Sequence, residues 1–225
     1  MTISYESLLP DVLPMVTGCT DTLVENAIRS STIEFCERTS AYQQELDSLT
    51  TILNVYEYDL EPPTGTTVHK VLWVTHEGED LEPVSTTLLE QRVPRWRSDN
   101  GKPDYYVQQS PALIWLVPIP SSKSVNSTII RAVLKPTHTS SSCDDGVMND
   151  FRDTIINGAL NRLLRIPNKD WTDLNGAQYY GVLFNQGVDE AERRARNADT
   201  GVRRRVMYGG IGRSRLRNRY GRERG

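Results

Sequence analysis

Nine arginines lie between Gly201 and Gly225, against one acid, Glu223. Guanidinium groups at that density recognise polyanions, either the phosphates of a nucleic acid or the carboxylates of a protein surface. Val206, Met207, Tyr208, Ile211, Leu216 and Tyr220 interrupt them with apolar side chains that phosphate neutralisation does not use. That pattern fits a protein groove in which the segment folds on binding. Gly209, Gly210, Gly212 and Gly221 keep it from being a stable helix on its own. The segment carries +8, so the formal net charge of −3 leaves −11 on residues 1–200. An acidic wall lets a polyanion slide past and is unsuited to holding one. A nucleic-acid-binding protein whose arginine tail tracks phosphates is the alternative reading.

Elsewhere the chemistry is sparse. The chain has no G-x-x-x-x-G-K-S/T, H-E-x-x-H or G-x-S-x-G run. His69, His76 and His138 have no second ligand at metal spacing, and Gly210-Ile211-Gly212 follows no strand and opens no helix, so no catalytic residue, cofactor site or metal site is expected. Asp144 and Asp145 are explained as helix caps. Cys19, Cys36 and Cys143 lack C-x-x-C spacing and read as reduced, buried thiols. No apolar run approaches the ~20 residues of a membrane span, and no leader follows Met1, so assembly in a reducing cytoplasm is expected. Of the four tryptophans, Trp73 and Trp115 sit in strand-like, core-patterned runs. Trp96, flanked by Arg95 and Arg97 in a polar loop, is a candidate protein contact, although a loop that folds its Trp inward fits equally well.

Three apolar helix stripes are available to position the basic segment. Thr22 and Glu25 form a Thr-x-x-Glu capping box that predicts a helix start, with Val24, Ala27, Ile28, Ser31, Phe35 and Thr39 on one face. Val147, Phe151, Ile155, Ala159 and Leu163 line a second helix over about 146–165, and Ala177, Tyr180, Phe184, Val188, Ala191 and Ala195 a third over about 174–198, with Gly201 as its cap. Phe151, Ile155, Leu163, Tyr180, Phe184 and Val188 are the candidates for subunit or bundle packing. Between the first and second helices the period is two: Ile52 to Leu60 reads as a strand, Val68 to Thr75 as its return, and Asp104–Gln109, Ala112–Val117 and Thr128–Leu134 as three more. The expected fold is α+β: an antiparallel three-helix bundle with an inserted small antiparallel β domain and an extended basic C-terminal tail. The expected divisions are 1–47 for the N-terminal segment and first bundle helix, 48–136 for the β domain, 137–200 for the other two helices and 201–225 for the tail.

Several runs in this order resemble the head-to-tail adaptor, or connector, proteins of tailed bacteriophages, especially the short-tailed ones. They are Gly18 with Ile33-Glu34-Phe35-Cys36-Glu37-Arg38-Thr39, then Tyr105 through Ile114-Trp115-Leu116-Val117-Pro118-Ile119-Pro120, and Trp171-Thr172-Asp173 with Ala177, Phe184, Ala191 and Arg203-Arg204-Arg205-Val206. The tail past Val206 is longer and richer in arginine than the family pattern. The resemblance implies a non-enzymatic virion protein at the head–tail junction, assembled in the cytoplasm of a bacterial host: a homo-oligomeric ring of twelve copies beneath the portal. It would meet the portal protein above and tail nozzle or tail fibre proteins below, with genomic DNA passing through and no membrane involved. Arg203, Arg204, Arg205, Tyr208, Arg213, Arg215 and Arg217 are the expected portal-binding residues, and Arg95, Trp96 and Arg97 a candidate contact with tail proteins.

Overall fold

A computed structural model describes residues 2–197 of the chain. Strand β1 (Thr2–Ser4), helix α1 (Leu9–Val12) and two 3-10 turns lead into the 19-residue helix α2 (Asp21–Thr39). Strands β2 (Gln43–Glu45), β3 (Leu49–Thr51), β4 (Glu57–Asp59), β5 (Thr66–His76), β6 (Glu79–Asp80) and β7 (Glu82–Pro83) precede helix α3 (Thr86–Arg92). Then come β8 (Asn100–Gly101), β9 (Tyr105–Ser110), β10 (Leu113–Val117), β11 (Ile119–Pro120), β12 (Ser124–Pro136) and β13 (Ser142–Asp144). Helices α4 (Asp145–Asp150), α5 (Arg152–Leu163) and α6 (Leu174–Asn197) complete the described chain.

The expected three-helix bundle carrying a separate β domain is overturned. The described residues form a mixed α+β fold with six α-helices and thirteen strands in several sheets. The reason lies in α2, which is buried on more than one side. Ser31 Oγ donates to the Ile155 carbonyl of α5 at 2.8 Å, while Glu37 on another side meets Lys135 of β12 at 2.5 Å. One continuous core therefore joins Ile28, Phe35 and Cys36 of α2 to Val68, Val71 and Val74 of β5, Ile130 and Leu134 of β12, Ile155 and Leu163 of α5, and Phe184 of α6. Each large apolar side chain fully buried there contributes roughly 1.5–3 kcal/mol.

Local chemistry sets several boundaries. Thr20 and not Thr22 is the N-cap of α2, and no side-chain cap bond forms, so the expected capping box is absent. Ser40 ends the helix in the left-handed region, φ 53°, its N–H donating to the Cys36 carbonyl. The second expected helix is broken at Phe151 (φ −123°, ψ 23°) into α4 and α5. Asp144 caps α4 as expected, its Oδ2 accepting from the Gly146 N–H at 3.0 Å.

β12 and β5 pair antiparallel from Thr128–His76 to Pro136–Thr66. Two irregularities in that register leave Leu72 and His69 of β5 without opposite partners. Val68, Val71 and Val74 consequently point into the core at a spacing of three, where an unbroken strand would give two. β2 and β3 extend this sheet along β12 and β6 along β5. The expected hairpin from Ile52 to Thr75 does not form. Of its first half only β4 is a strand, joining β10, β9 and β7 in a second sheet, while β3 just before it lies on β12. Where β3 and β4 part, the Tyr58 hydroxyl accepts from the Ile52 N–H and donates to the Val55 carbonyl at 2.8 Å.

Helices α2, α5 and α6 meet at Gly158 of α5, where a Cβ would sit 2.7 Å from the Phe184 ring and closer still to Ser31 Oγ. Gly158→Ala is expected to cost about 1–3 kcal/mol by overpacking and to lower Tm by roughly 2–12 °C, a shift that a thermal melt followed by circular dichroism would read.

Candidate functional site

Helix α6 carries the chain toward its basic end. Ala177, Phe184, Val188 and Ala191 are buried, and Tyr180 packs against them. Phe151, Ile155 and Leu163 face the same interior, Phe151 stacking on Phe35 at 4.9 Å between centroids. All six proposed packing residues lie in or against the core of the chain, Phe151 and Tyr180 only partly buried. Small residues make this possible: Gly181 lets Asn161 of α5 reach across to donate to the Ala177 carbonyl at 2.5 Å.

The outward side of α6 is what the periodicity missed. Leu174, Tyr179 and Val182 are 63%, 61% and 56% exposed. Tyr179 and Val182 are three residues apart, on the side away from Phe184, so they form a second, narrower apolar strip. That spacing was visible in the sequence, hidden by the stronger stripe around it. A second exposed apolar group sits at the far end of the large sheet, where Ile52 and Leu53 leave β3 and Val125 enters β12, each more than half exposed.

The last turns of α6 are charged. Glu192 pairs with Arg196, Arg194 with Asp150 at 3.4 Å, and the Arg193 guanidinium donates to the Asp189 carbonyl. This end lies beside Ser40, Gln43, Lys70 and Leu72. Arg203, Arg204, Arg205, Tyr208, Arg213, Arg215 and Arg217, with Gly201, lie outside the described residues.

Arg95 and Arg97 are exposed, whereas Trp96 is 2% exposed and folded inward. It stacks on Trp115 at 5.2 Å and meets Tyr56 edge-on at 5.6 Å, with Val84, Leu89, Val107 and Val117 completing a small second core beneath the four-stranded sheet. The Arg97 guanidinium covers the Trp96 ring at 4.3 Å. The Trp115 indole N–H donates to Glu57 at 2.8 Å. Trp73, placed in the core by its strand pattern, is instead 37% exposed, on the face of β5 opposite its buried neighbour Val74.

Titratable groups have structural partners. His76 is buried and bonded to Thr128 Oγ1 at 2.8 Å, and desolvation lowers its pKa; His69 and His138 are exposed. All three cysteines are buried, and contact with the Cys143 thiol, followed by burial, pushes Cys36 well up. Among the described residues no cluster of three or more His, Cys, Asp or Glu side chains can hold a metal, and no helix is long and apolar enough to cross a membrane.

The Trp96 cluster yields a prediction. Trp96→Ala should cost about 3–5 kcal/mol, and Arg97→Ala, which removes an exposed cation–π contact, about 1 kcal/mol or less. Urea unfolding followed by far-ultraviolet circular dichroism measures both, and equal losses would show that Trp96 is not the anchor of this loop.

A family model described as SU10 adaptor protein matches residues 4–206, which takes in nearly all of the described chain and the first arginines of the basic segment. No curated protein matches the chain.

Proposed function

The chain belongs to the SU10 adaptor protein family, and from that premise we propose that it forms a ring beneath the portal of a phage capsid, joins it to the tail and lines the path of the DNA. The family membership, over residues 4–206, is the observation that carries this reading. That membership supports a structural role in joining head and tail, which we read as one without enzymatic chemistry.

The finer assignment has physical support. The charge of −11 on residues 1–200 suits a wall past which DNA slides without sequence-specific contact. Twelve copies is the number that the resemblance to head-to-tail adaptors implies. The exposed strip of Leu174, Tyr179 and Val182 is the apolar surface that ring closure would bury between neighbouring copies. Arg203, Arg204, Arg205, Tyr208, Arg213, Arg215 and Arg217 dock on the portal, with Tyr208 as an apolar anchor among charges. Arg95 and Arg97, held out from the small sheet by the buried Trp96, face tail nozzle or tail fibre proteins.

Deleting residues 202–225 should leave a protein with the far-ultraviolet spectrum and melting behaviour of the full chain that no longer binds portal in a pull-down. Portal binding at wild-type level by the deletion variant would remove the basic segment from the interface. Salt-sensitive DNA binding by the full chain, lost on the same deletion, would favour a phosphate-tracking tail.

A further inference from the structure

We propose that the groove between residues 46–50 and 58–61 is the docking site of the chain's own basic segment, Arg203 to Tyr208, in the protein before assembly. The groove has a volume of about 290 Å³, room for one or two side chains and not for a cofactor. Its floor is apolar, built from Leu46 and Leu60, both buried, and Ile130 of β12. Its rim carries Asp47, Asp59 and Glu61, all exposed, and no lysine or arginine lines it. Among the described residues none of these three carboxylates pairs with a cation. Three unpaired negative charges around an apolar floor complement a segment in which three consecutive arginines precede Val206, Met207 and Tyr208.

A rival location is decided by its charge. A recess beside the last turns of α6 is lined by Arg131 and Arg194 as well as by Asp144 and Asp150. Those charges cancel, Asp150 is already engaged by Arg194, and Asp144 is spent on capping α4. Nothing there attracts another arginine.

Geometry brings the segment to the acidic groove. Ala195 and Arg196 of α6 share a recess with Gln43 of β2. Gln43 is three residues from Leu46, at most about 10 Å along an extended chain. Tyr208 is eleven residues along from Asn197, a stretch that spans up to roughly 36 Å when extended. The segment therefore reaches the groove of its own molecule with slack. Parking it there hides apolar and cationic groups that would otherwise seek partners, and a higher-affinity acidic surface on another protein would draw it out.

The inference rests on reading this segment as a peptide ligand of a protein groove, and its test requires no portal, so its failure leaves portal docking to be judged separately. Full-length protein is digested with trypsin under native conditions, and cleavage after Arg203, Arg204 and Arg205 is followed by mass spectrometry. A synthetic peptide of residues 198–225 gives the unprotected rate. Docking predicts that the intact chain is cut about ten-fold more slowly than the peptide at low salt, that high salt narrows the gap, and that Asp47→Asn/Asp59→Asn/Glu61→Gln in the full chain abolishes it. Tyr208→Ala should narrow it too, by removing an anchor for the apolar floor. Equal rates for peptide and wild-type chain overturn the proposal, as does protection that survives neutralising all three carboxylates. Protection that grows with protein concentration places the segment on a second copy and overturns the same-molecule assignment.

Discussion

Helix α2 is covered from two directions at once, and the rest of the molecule follows from that. On one side Ser31 bonds to the Ile155 carbonyl and α5 comes close enough for Gly158 to exclude any side chain at that position. On another, Lys135 of β12 pairs with Glu37, and the apolar face of the large sheet shares the core with Ile28 and Phe35. The helix pair and the sheet cannot move independently while both are packed on the same helix. The N-terminal segment is tied in as well, because β1 pairs with β13 and Arg152 of α5 grips Asp11 of α1.

Because the strong apolar stripes of α5 and α6 are spent inside the chain, little is left for binding others. Among the described residues, the exposed groups include the strip on α6, the tip around Ile52, Leu53 and Val125, Met15, and the cationic residues held out beside the buried Trp96. Surface ion pairs such as Arg162–Glu34 and Arg97–Glu90 are exposed and contribute little to folding. The sharp division of charge between an acidic body and a basic C-terminal segment is the chain's most distinctive property, and it is a property of association.

Much of the local structure was legible. Asp144 caps the helix that follows it, its carboxylate accepting from the Gly146 N–H, and the long α6 is where its apolar period places it. The family was legible from short runs spread over the chain. The way the helices and sheets combine was not. α2 buries Ser31, Thr32 and Thr39, whose hydroxyls satisfy themselves on the carbonyls of Ile155, Ile28 and Phe35. Ser31 and Thr39 lie on the predicted stripe, whereas Thr32 and Cys36 are buried beside it and widen the inward face. The pairing of Thr2–Ser4 with Ser142–Asp144 joins segments with no local signal for each other, and the residues from Ser48 to Leu60 alternate as one strand although they serve two sheets. For the site, the inward turn of Trp96 was one of two open readings, and packing against Tyr56 and Trp115 decided it.

The most direct test of the adaptor assignment is the mass of the purified full-length protein in solution, alone and mixed with the portal of its phage, by light scattering at moderate salt. Assembly at the head–tail junction predicts a monomer that becomes a defined multimer on the portal, twelve copies for each portal ring. A chain that ignores the portal and instead binds DNA with a steep dependence on salt would contradict it.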